Sequence, residues 1–320
     1  MTLQAAWRSP TGQDNAIALG QLYPGGFAAI AEFDRIGHLL LHRAGLAAEA
    51  SGLEAVVGVA LLRRAVALFT GLRTLFDASA IDPAKALVRA HFELYLTYRC
   101  LAYGDLAHLH LDSPTTAAER EPRAARYYVA AERRTLRSRA LILQPGSPFP
   151  PNSESERPAM AAELDSEIQR LRTTFPNEWS YFGDVDAAGL VKRVGGREEP
   201  PWFAKEFEPR RVWSIRALAE SYDYGWEYEF LYDAWSALVH ARGIRQDVTV
   251  GDGEVLVHHP HDPQWFQSLA YWSLGWHGML LMTAAKWHAP IMVPDLQRLH
   301  TRHRSDIDQL QPRDFPSLLA

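Results

Sequence analysis

The sequence predicts an all-α fold, a multi-helix bundle with one small β-hairpin insertion near its C-terminal third. Three observations support this prediction. Apolar residues recur at helical spacing through most of the 320 residues. Proline, glycine and capping residues separate these stretches. Only over residues 247–258 does the pattern change to alternation, around Gly251-Asp252-Gly253, which is typical of a hairpin turn.

The first four predicted helices span residues 27–50, 54–76, 83–103 and 116–143. The third begins at Asp82-Pro83, because aspartate is a good N-cap and proline suits the first helical position. The fourth begins at Thr116, which has Glu119 three residues later in the spacing of a capping box.

Beyond a linker over 145–151, helices are predicted over 154–175, 215–222, 226–240, 263–287 and 294–310, with Ser214 as an N-cap. Residues 177–209 show no sustained period and contain paired glycines and paired prolines, so we predict an irregular loop there. Loops of that length inside a domain are usually functional or disordered. We find no internal repeat and assign residues 1–320 to a single helical domain.

Composition excludes several classes of protein. Apolar residues make up 47% and charged residues 22%, which excludes wholesale disorder and fibrous proteins. A net charge of −5 argues against a protein that coats nucleic acid or anionic membrane over its whole surface. The single Cys100 excludes an internal disulfide framework. Without a signal-like start or an uninterrupted membrane-length apolar run, we expect a cytoplasmic protein that contacts no membrane.

Two groups of polar residues lie on predicted helices. Arg89 and Glu93 are four residues apart on the third helix, among apolar neighbours. They are either a surface ion pair or a partly buried pair whose members bind each other or a ligand. A second stripe combines two tyrosines with a serine and a histidine, each four residues apart: Tyr228, Tyr232, Ser236 and His240. No Gly-x-Ser-x-Gly elbow accompanies the stripe, which favours a structural network over a serine hydrolase.

His38 and His42 are the candidate metal ligands. They are four residues apart on the first helix and follow Asp34, so one divalent ion could bind both rings. Neither a His-Glu-x-x-His motif nor the paired Glu-x-x-His of di-iron bundles is present. We therefore expect no resident cofactor, with a divalent metal at His38 and His42 as the alternative.

The candidate surface for RNA is the arginine-rich helix face over residues 120–139. Seven arginines and three glutamates lie between Thr115 and Ala140. Clustered arginines on one face are the electrostatic footprint of nucleic-acid binding, although a solvated helix face has the same composition.

The two polar groups together resemble a bacterial helical family of unknown function, domain-of-unknown-function family 5677. The run 88–93 is similar to its Arg-x-x-x-Glu motif, and the run 213–220 and the stripe that ends at His240 are similar to its later motifs. The resemblance covers about residues 54–287. It implies that the two helices pack face to face, so that Arg89, Glu93, Ser236 and His240 form one polar cluster.

That family is in turn similar to the HEPN helical bundles, many of which are RNases in toxin and phage-defence systems. Their signature is an arginine separated by four to six residues from a histidine on one helix. Here Asp233, Ala234 and Trp235 occupy those positions before His240. The resemblance therefore implies a metal-independent RNase only if Arg89 supplies the cation from across the bundle.

Three functions follow as alternatives, and the sequence does not decide whether the protein is an enzyme. The first is an RNA-directed HEPN-like protein, an RNase or defence effector. The second is a structural or ligand-binding protein whose polar cluster locks the helices. The third is a small-molecule or metal-dependent enzyme. Assembly into a homo-oligomer is compatible with all three.

Overall fold

A computed structural model describes residues 19–49, 51–109, 113–147, 155–192, 199–230, 248–251, 254–257 and 263–311. The long helices are α1 (Pro24–Ala48), α2 (Leu53–Asp77), α3 (Ile81–Tyr103), α4 (Ala117–Ile142), α5 (Arg157–Thr174), α9 (Pro263–His288) and α10 (Val293–Gln309). Between α5 and α9 lie the short helices α6 (Pro176–Tyr181), α7 (Ala187–Lys192) and α8 (Ile215–Ser221).

Four helices form the centre of the bundle. Helix α3 packs between α2 and α9, and α1 packs against the same two helices. The large apolar side chains that meet there, including Phe33, Phe69, Phe92 and Trp276, are at most 2% exposed. Helix α4 covers α2, and α10 covers α1 and α9. The predicted all-α bundle is therefore confirmed, and burial of this apolar surface is its main source of stability.

Helix α2 is, within the described ranges, the one helix long and apolar enough to cross a membrane by length and composition. In the structure it packs between α1, α3 and α4, and Val66, Phe69 and Leu72 are at most 1% exposed. A helix that is surrounded by other helices needs apolar residues on most of its faces. Its composition is thus explained by its place in the bundle.

Two predicted helix starts are confirmed. Glu119 Oε2 accepts hydrogen bonds from the backbone N–H of Thr116 at 2.8 Å and from its hydroxyl at 2.7 Å, at the start of α4. Ser214 Oγ accepts a hydrogen bond from the backbone N–H of Ala217 at 3.1 Å, at the start of α8. Both contacts satisfy donors that a helix leaves free in its first turn.

The predicted N-cap at Asp82 is wrong. Helix α3 begins one residue earlier, at Ile81, and Ala80 occupies the N-cap position. Asp82 lies within the first turn, where its carboxylate accepts a hydrogen bond from Lys85 Nζ at 2.8 Å. An aspartate there still favours the helix, because the N-terminal end of a helix carries partial positive charge.

The β-hairpin insertion over residues 247–258 is wrong as part of the fold class, because helices alone build the packed architecture of the described chain. Strands β1 (Val248–Gly251) and β2 (Glu254–Val257) do pair antiparallel. They form a two-stranded ribbon only with each other, and a ribbon of that size is marginally stable by itself. The period-2 pattern marked this local pairing but did not indicate a further layer of the fold.

A pair of histidines lies in the middle of the bundle. His91 Nε2 on α3 is 3.1 Å from His277 Nδ1 on α9, and both side chains are fully buried. Phe69 stacks on the His277 ring with centroids 3.8 Å apart. Burial lowers the pKa of His91 to about 4, and burial together with His91 lowers the pKa of His277 well below its usual range. Both rings are therefore neutral at pH 7, one donating to the other.

We predict that this pair makes the fold acid-sensitive. Both folded pKa values are depressed, so below about pH 6.5 the unfolded chain binds protons that the folded rings do not. The contribution of the histidine pair to the free energy of unfolding is therefore fully present above that pH. It is lost as the pH falls toward about 4, the pKa of folded His91. In the double variant His91→Gln and His277→Asn, the side-chain amides take the places of His91 Nε2 and His277 Nδ1, the two nitrogens that form the hydrogen bond. Neither amide binds a proton in this pH range, so both titratable groups are removed.

The test is the free energy of unfolding measured by urea denaturation between pH 7 and pH 5. We expect the unchanged protein to lose stability faster than the double variant, by up to about 1.4 kcal/mol per pH unit for each histidine removed. His288, whose pKa burial lowers to about 3, is present in both proteins and contributes equally to both. Parallel pH profiles would show that the histidine pair is not the acid-sensitive element.

Candidate functional site

A cleft of about 690 Å³ opens between α2, α3, α4 and the segment over residues 199–215. Helix α3 contributes Glu93, one of the residues predicted from the sequence. The segment that closes the cleft includes part of the predicted irregular loop over 177–209, which the structure interrupts with α6, α7 and a short 3₁₀ turn at Ala204–Phe207. The cleft therefore joins two features that the sequence had singled out separately.

Buried arginines of α4 hold the segment 199–207 in place. Arg133, which is 1% exposed, donates to Glu199 Oε1 at 2.7 Å, and Arg137 Nη2 lies 3.1 Å from the same oxygen. Arg123 and Arg126 both form ion pairs with Glu206. Because an unpaired buried charge is costly, these contacts hold the segment against two separate stretches of α4, and so define one wall of the cleft.

Two arginines of the cleft differ from these. Arg64 on α2 and Arg134 on α4 line the cleft, and both are exposed. Across the residues that the structure describes, neither forms an ion pair with a carboxylate. Both guanidinium groups lie close enough to Tyr127 to favour its ionised form, although burial raises the pKa of that phenol overall. The cleft thus presents two positive charges that the fold itself does not neutralise.

Aromatic rings form another part of the lining. The rings of Tyr127 and Trp202 meet edge to face with centroids 5.2 Å apart. Trp202 is 7% exposed, so it is fixed in the core, whereas Trp213 at the rim is 51% exposed. A half-exposed tryptophan beside a fixed aromatic pair offers a flat apolar surface to a ligand.

Arg89 and Glu93 form the predicted ion pair. Arg89 Nε donates to Glu93 Oε1 at 3.2 Å, and the two side chains are 19% and 34% exposed. The pair lies at the edge of the cleft, with Glu93 in the lining, and is partly solvated.

The second polar group is only partly described. Tyr228 packs against the apolar core, whereas Tyr232, Ser236 and His240 lie outside the described residues. A catalytic role for Arg89, Glu93, Ser236 and His240 together, and a binding role for Tyr228 and Tyr232, therefore stay predictions.

The histidines that we considered as metal ligands have different surroundings. His38 Nε2 lies 3.1 Å from Thr70 Oγ1, and His42 is exposed. Asp34 accepts hydrogen bonds from Thr70 and from Arg73. Within the part of the chain that the structure describes, no three His, Cys, Asp or Glu side chains group into a metal site.

The arginine-rich face over residues 120–139 is largely committed to internal contacts. Besides the pairs with Glu199 and Glu206, Arg120 donates to the buried Glu54 at 2.8 Å, and Arg139 pairs with Glu163 and Glu167. Seven arginines on a helix therefore do not make a continuous basic surface here.

Arg64, Trp202 and Trp213 line the cleft but were not among the residues predicted for a site. Arg63 and Arg64 both interrupt the mostly apolar stretch 53–72, and the sequence does not show which of the two faces the cleft. Trp213 opens the run 213–220 that resembles the family, whereas Trp202 gave no signal, because only folding brings it beside Tyr127 of α4.

Comparison with known proteins gives one match. The model of a family described as Family of unknown function (DUF5677) matches residues 55–254, more than half of the chain. The family resemblance inferred from the Arg89 and Glu93 motif is thereby confirmed, over a shorter range than expected. A similarity to HEPN bundles is not found. No curated protein and no solved structure matches the chain.

We predict that Glu206→Gln destabilises the protein strongly. Burial lowers the pKa of Arg123 and of Arg126, and the Glu206 carboxylate is the counter-ion that both contact. An amide in its place leaves two buried cations without a compensating charge, at a cost of roughly 3–5 kcal/mol. Chemical denaturation of the two proteins at pH 7 measures the difference.

Glu163→Gln is the matched control. Glu163 also pairs with an arginine of α4, at 3.2 Å from Arg139, but its side chain is 64% exposed. Solvent-exposed pairs of this kind are worth about 1 kcal/mol or less. Equal losses in the two variants would mean that burial does not set the strength of the α4 ion pairs.

Proposed function

The chain belongs to this family of unknown function, and from its cleft we propose that the protein binds a phosphorylated nucleoside, as a free nucleotide or as a unit of single-stranded RNA. One observation carries the proposal. Arg64 and Arg134 are two exposed cations that line a single aromatic-walled cleft without forming an ion pair among the described residues.

The two exposed arginines of the cleft are suited to bind the phosphate group of the ligand. A guanidinium group presents several N–H donors in one plane and matches the oxygens of a phosphate or carboxylate. The neighbouring Arg137 shares Glu199 with Arg133, so a carboxylate partly offsets its charge, whereas Arg64 and Arg134 have no carboxylate partner among the described residues. Two such cations in one cleft favour a ligand with at least one full negative charge.

The aromatic rings of the cleft are suited to bind the nucleobase of the ligand. Nucleobases stack on exposed tryptophan and tyrosine rings, and each such contact contributes about 1–3 kcal/mol to single-strand binding. Trp213 supplies a half-exposed ring, and the Trp202 and Tyr127 pair lines the same cleft. The volume of about 690 Å³ lies in the range of pockets that hold ligands of nucleotide size.

The overall charge restricts how RNA would bind. A chain of net charge −5 repels a polyanion at long range, and the paired arginines of α4 do not offset that repulsion outside the cleft. Any RNA contact would therefore be local, at one or a few nucleotides. The predicted RNase function, with Arg89 and His240 at its centre, would be one use of such a contact, and the geometry of the described residues supports the binding step.

We predict that the double substitution Arg64→Gln and Arg134→Gln weakens binding of AMP and of a single-stranded oligouridylate of roughly ten nucleotides. Each lost charged hydrogen bond costs about 1.5–3 kcal/mol, so the affinity of either ligand should fall at least tenfold. Quenching of tryptophan fluorescence measures AMP binding, and fluorescence anisotropy of a labelled strand measures RNA binding.

Arg63→Gln is the matched control, because Arg63 is also an exposed arginine of α2 but does not line the cleft. It should leave both affinities unchanged. Binding of AMP alone would assign the cleft to free nucleotides, and tighter binding of the strand would assign it to RNA. Binding that is absent, or that survives loss of Arg64 and Arg134, would refute the proposal.

A further inference from the structure

A second concave site lies between α9, α10 and Tyr224, which follows α8 in the chain. Its volume is about 510 Å³. Tyr271 and Trp272 of α9 both line the groove. Their ring planes meet at 78° with centroids 5.4 Å apart, so the two rings present differently oriented aromatic surfaces. No residue that the proposed nucleotide cleft uses lines this groove.

The aromatic wall is held in place from the core. The hydroxyl groups of Tyr224 and Tyr95 are 2.8 Å apart, and Arg99 donates to Tyr95 Oη at 2.8 Å. Trp276, which is 1% exposed, stacks under Trp272 with centroids 5.3 Å apart. These contacts fix the rings before any ligand arrives, which lowers the entropic cost of binding.

Gly275 leaves part of the groove open. It lies in the interior of α9, where glycine costs about 1 kcal/mol relative to alanine. Helical glycines of this chain differ in what surrounds them: a Cβ at Gly278 would lie 3.1 Å from Phe33 and one at Gly37 would lie 3.3 Å from His277, whereas one at Gly45 would meet nothing within 4 Å. A Cβ at Gly275 would meet nothing within 4 Å. Packing within the chain therefore does not require this glycine, and its missing side chain keeps the groove open.

The rim of the groove carries both charges. Arg304 and Asp308 lie one turn apart on α10, line the groove and are exposed. The two do not form an ion pair with each other or with another described residue. A purely anionic ligand would be repelled by Asp308, and a purely cationic one by Arg304. A ligand with both charges satisfies both side chains.

From the open groove, its aromatic walls and its two-charge rim, we propose that this site binds an apolar α-amino acid. The ligand's side chain lies against Tyr271 and Trp272, its carboxylate contacts Arg304, and its ammonium group contacts Asp308. The site is independent of the proposed nucleotide cleft, because the two share no lining residue.

The test uses L-phenylalanine as the probe in isothermal titration calorimetry, with two analogues that each lack one charge. These are 3-phenylpropionate, without the ammonium group, and phenylalanine amide, without the carboxylate. We expect saturable binding of phenylalanine and about tenfold weaker binding of each analogue, since each loses one charged contact. Arg304→Gln should weaken phenylalanine binding about tenfold but leave that of the amide unchanged.

The decisive variant is Gly275→Leu, which places a side chain in the groove at a position where its Cβ meets nothing within 4 Å. Leucine favours a helix more than glycine does, so the melting temperature should hold or rise while phenylalanine binding is lost. Gly45→Leu is the matched control: Gly45 is also helical and would also meet nothing within 4 Å, but it lies on α1, away from the groove.

Binding that is kept in Gly45→Leu and lost in Gly275→Leu supports the proposal. The proposal is overturned if the unchanged protein does not bind phenylalanine, if Gly275→Leu binds it equally well, or if both analogues bind as tightly as phenylalanine. AMP binding at the nucleotide cleft should be the same in Gly275→Leu as in the unchanged protein, so failure of one proposal is separable from failure of the other.

Discussion

The need to neutralise buried guanidinium groups shapes one whole side of this molecule. Helix α4 places Arg123, Arg126 and Arg133 where each is at most 6% exposed. A cation at that depth requires a carboxylate, and the segment beyond α7 supplies Glu199 and Glu206. Because these two glutamates contact separate stretches of α4, the ion pairs hold the chain between them against this helix and so fix one wall of the cleft.

The same interactions determine what the surface can attract. Once most arginines of α4 are paired, the positive charge that remains for a ligand in this cleft lies on Arg64 and Arg134. That arrangement makes a net charge of −5 compatible with the proposed binding of an anion, because the field of two cations in a partly enclosed site is felt at short range. It also explains why the arginine-rich pattern over 120–139 overstated the basic surface.

Much of the fold could be predicted from local signals. The capping box at Thr116 and the N-cap at Ser214 are contacts within four residues of each other, and both exist as predicted. Asp82 shows the limit of such signals, since it bonds Lys85 rather than capping α3. The alternation over residues 247–258 was a correct local signal, but it could not show that two short strands would add no layer to a helical bundle.

Sequence by itself determined the helical period, most helix ends, the family and the pairing of Arg89 with Glu93, because each depends on residues close together in the chain. Only the tertiary structure decided that His91 meets His277, that Glu206 serves two buried arginines, and that Trp202 and Trp213 stand beside Arg64. Those contacts join segments far apart in sequence. Whether a charged side chain is neutralised or left for a ligand depends on that packing, and no local pattern records it.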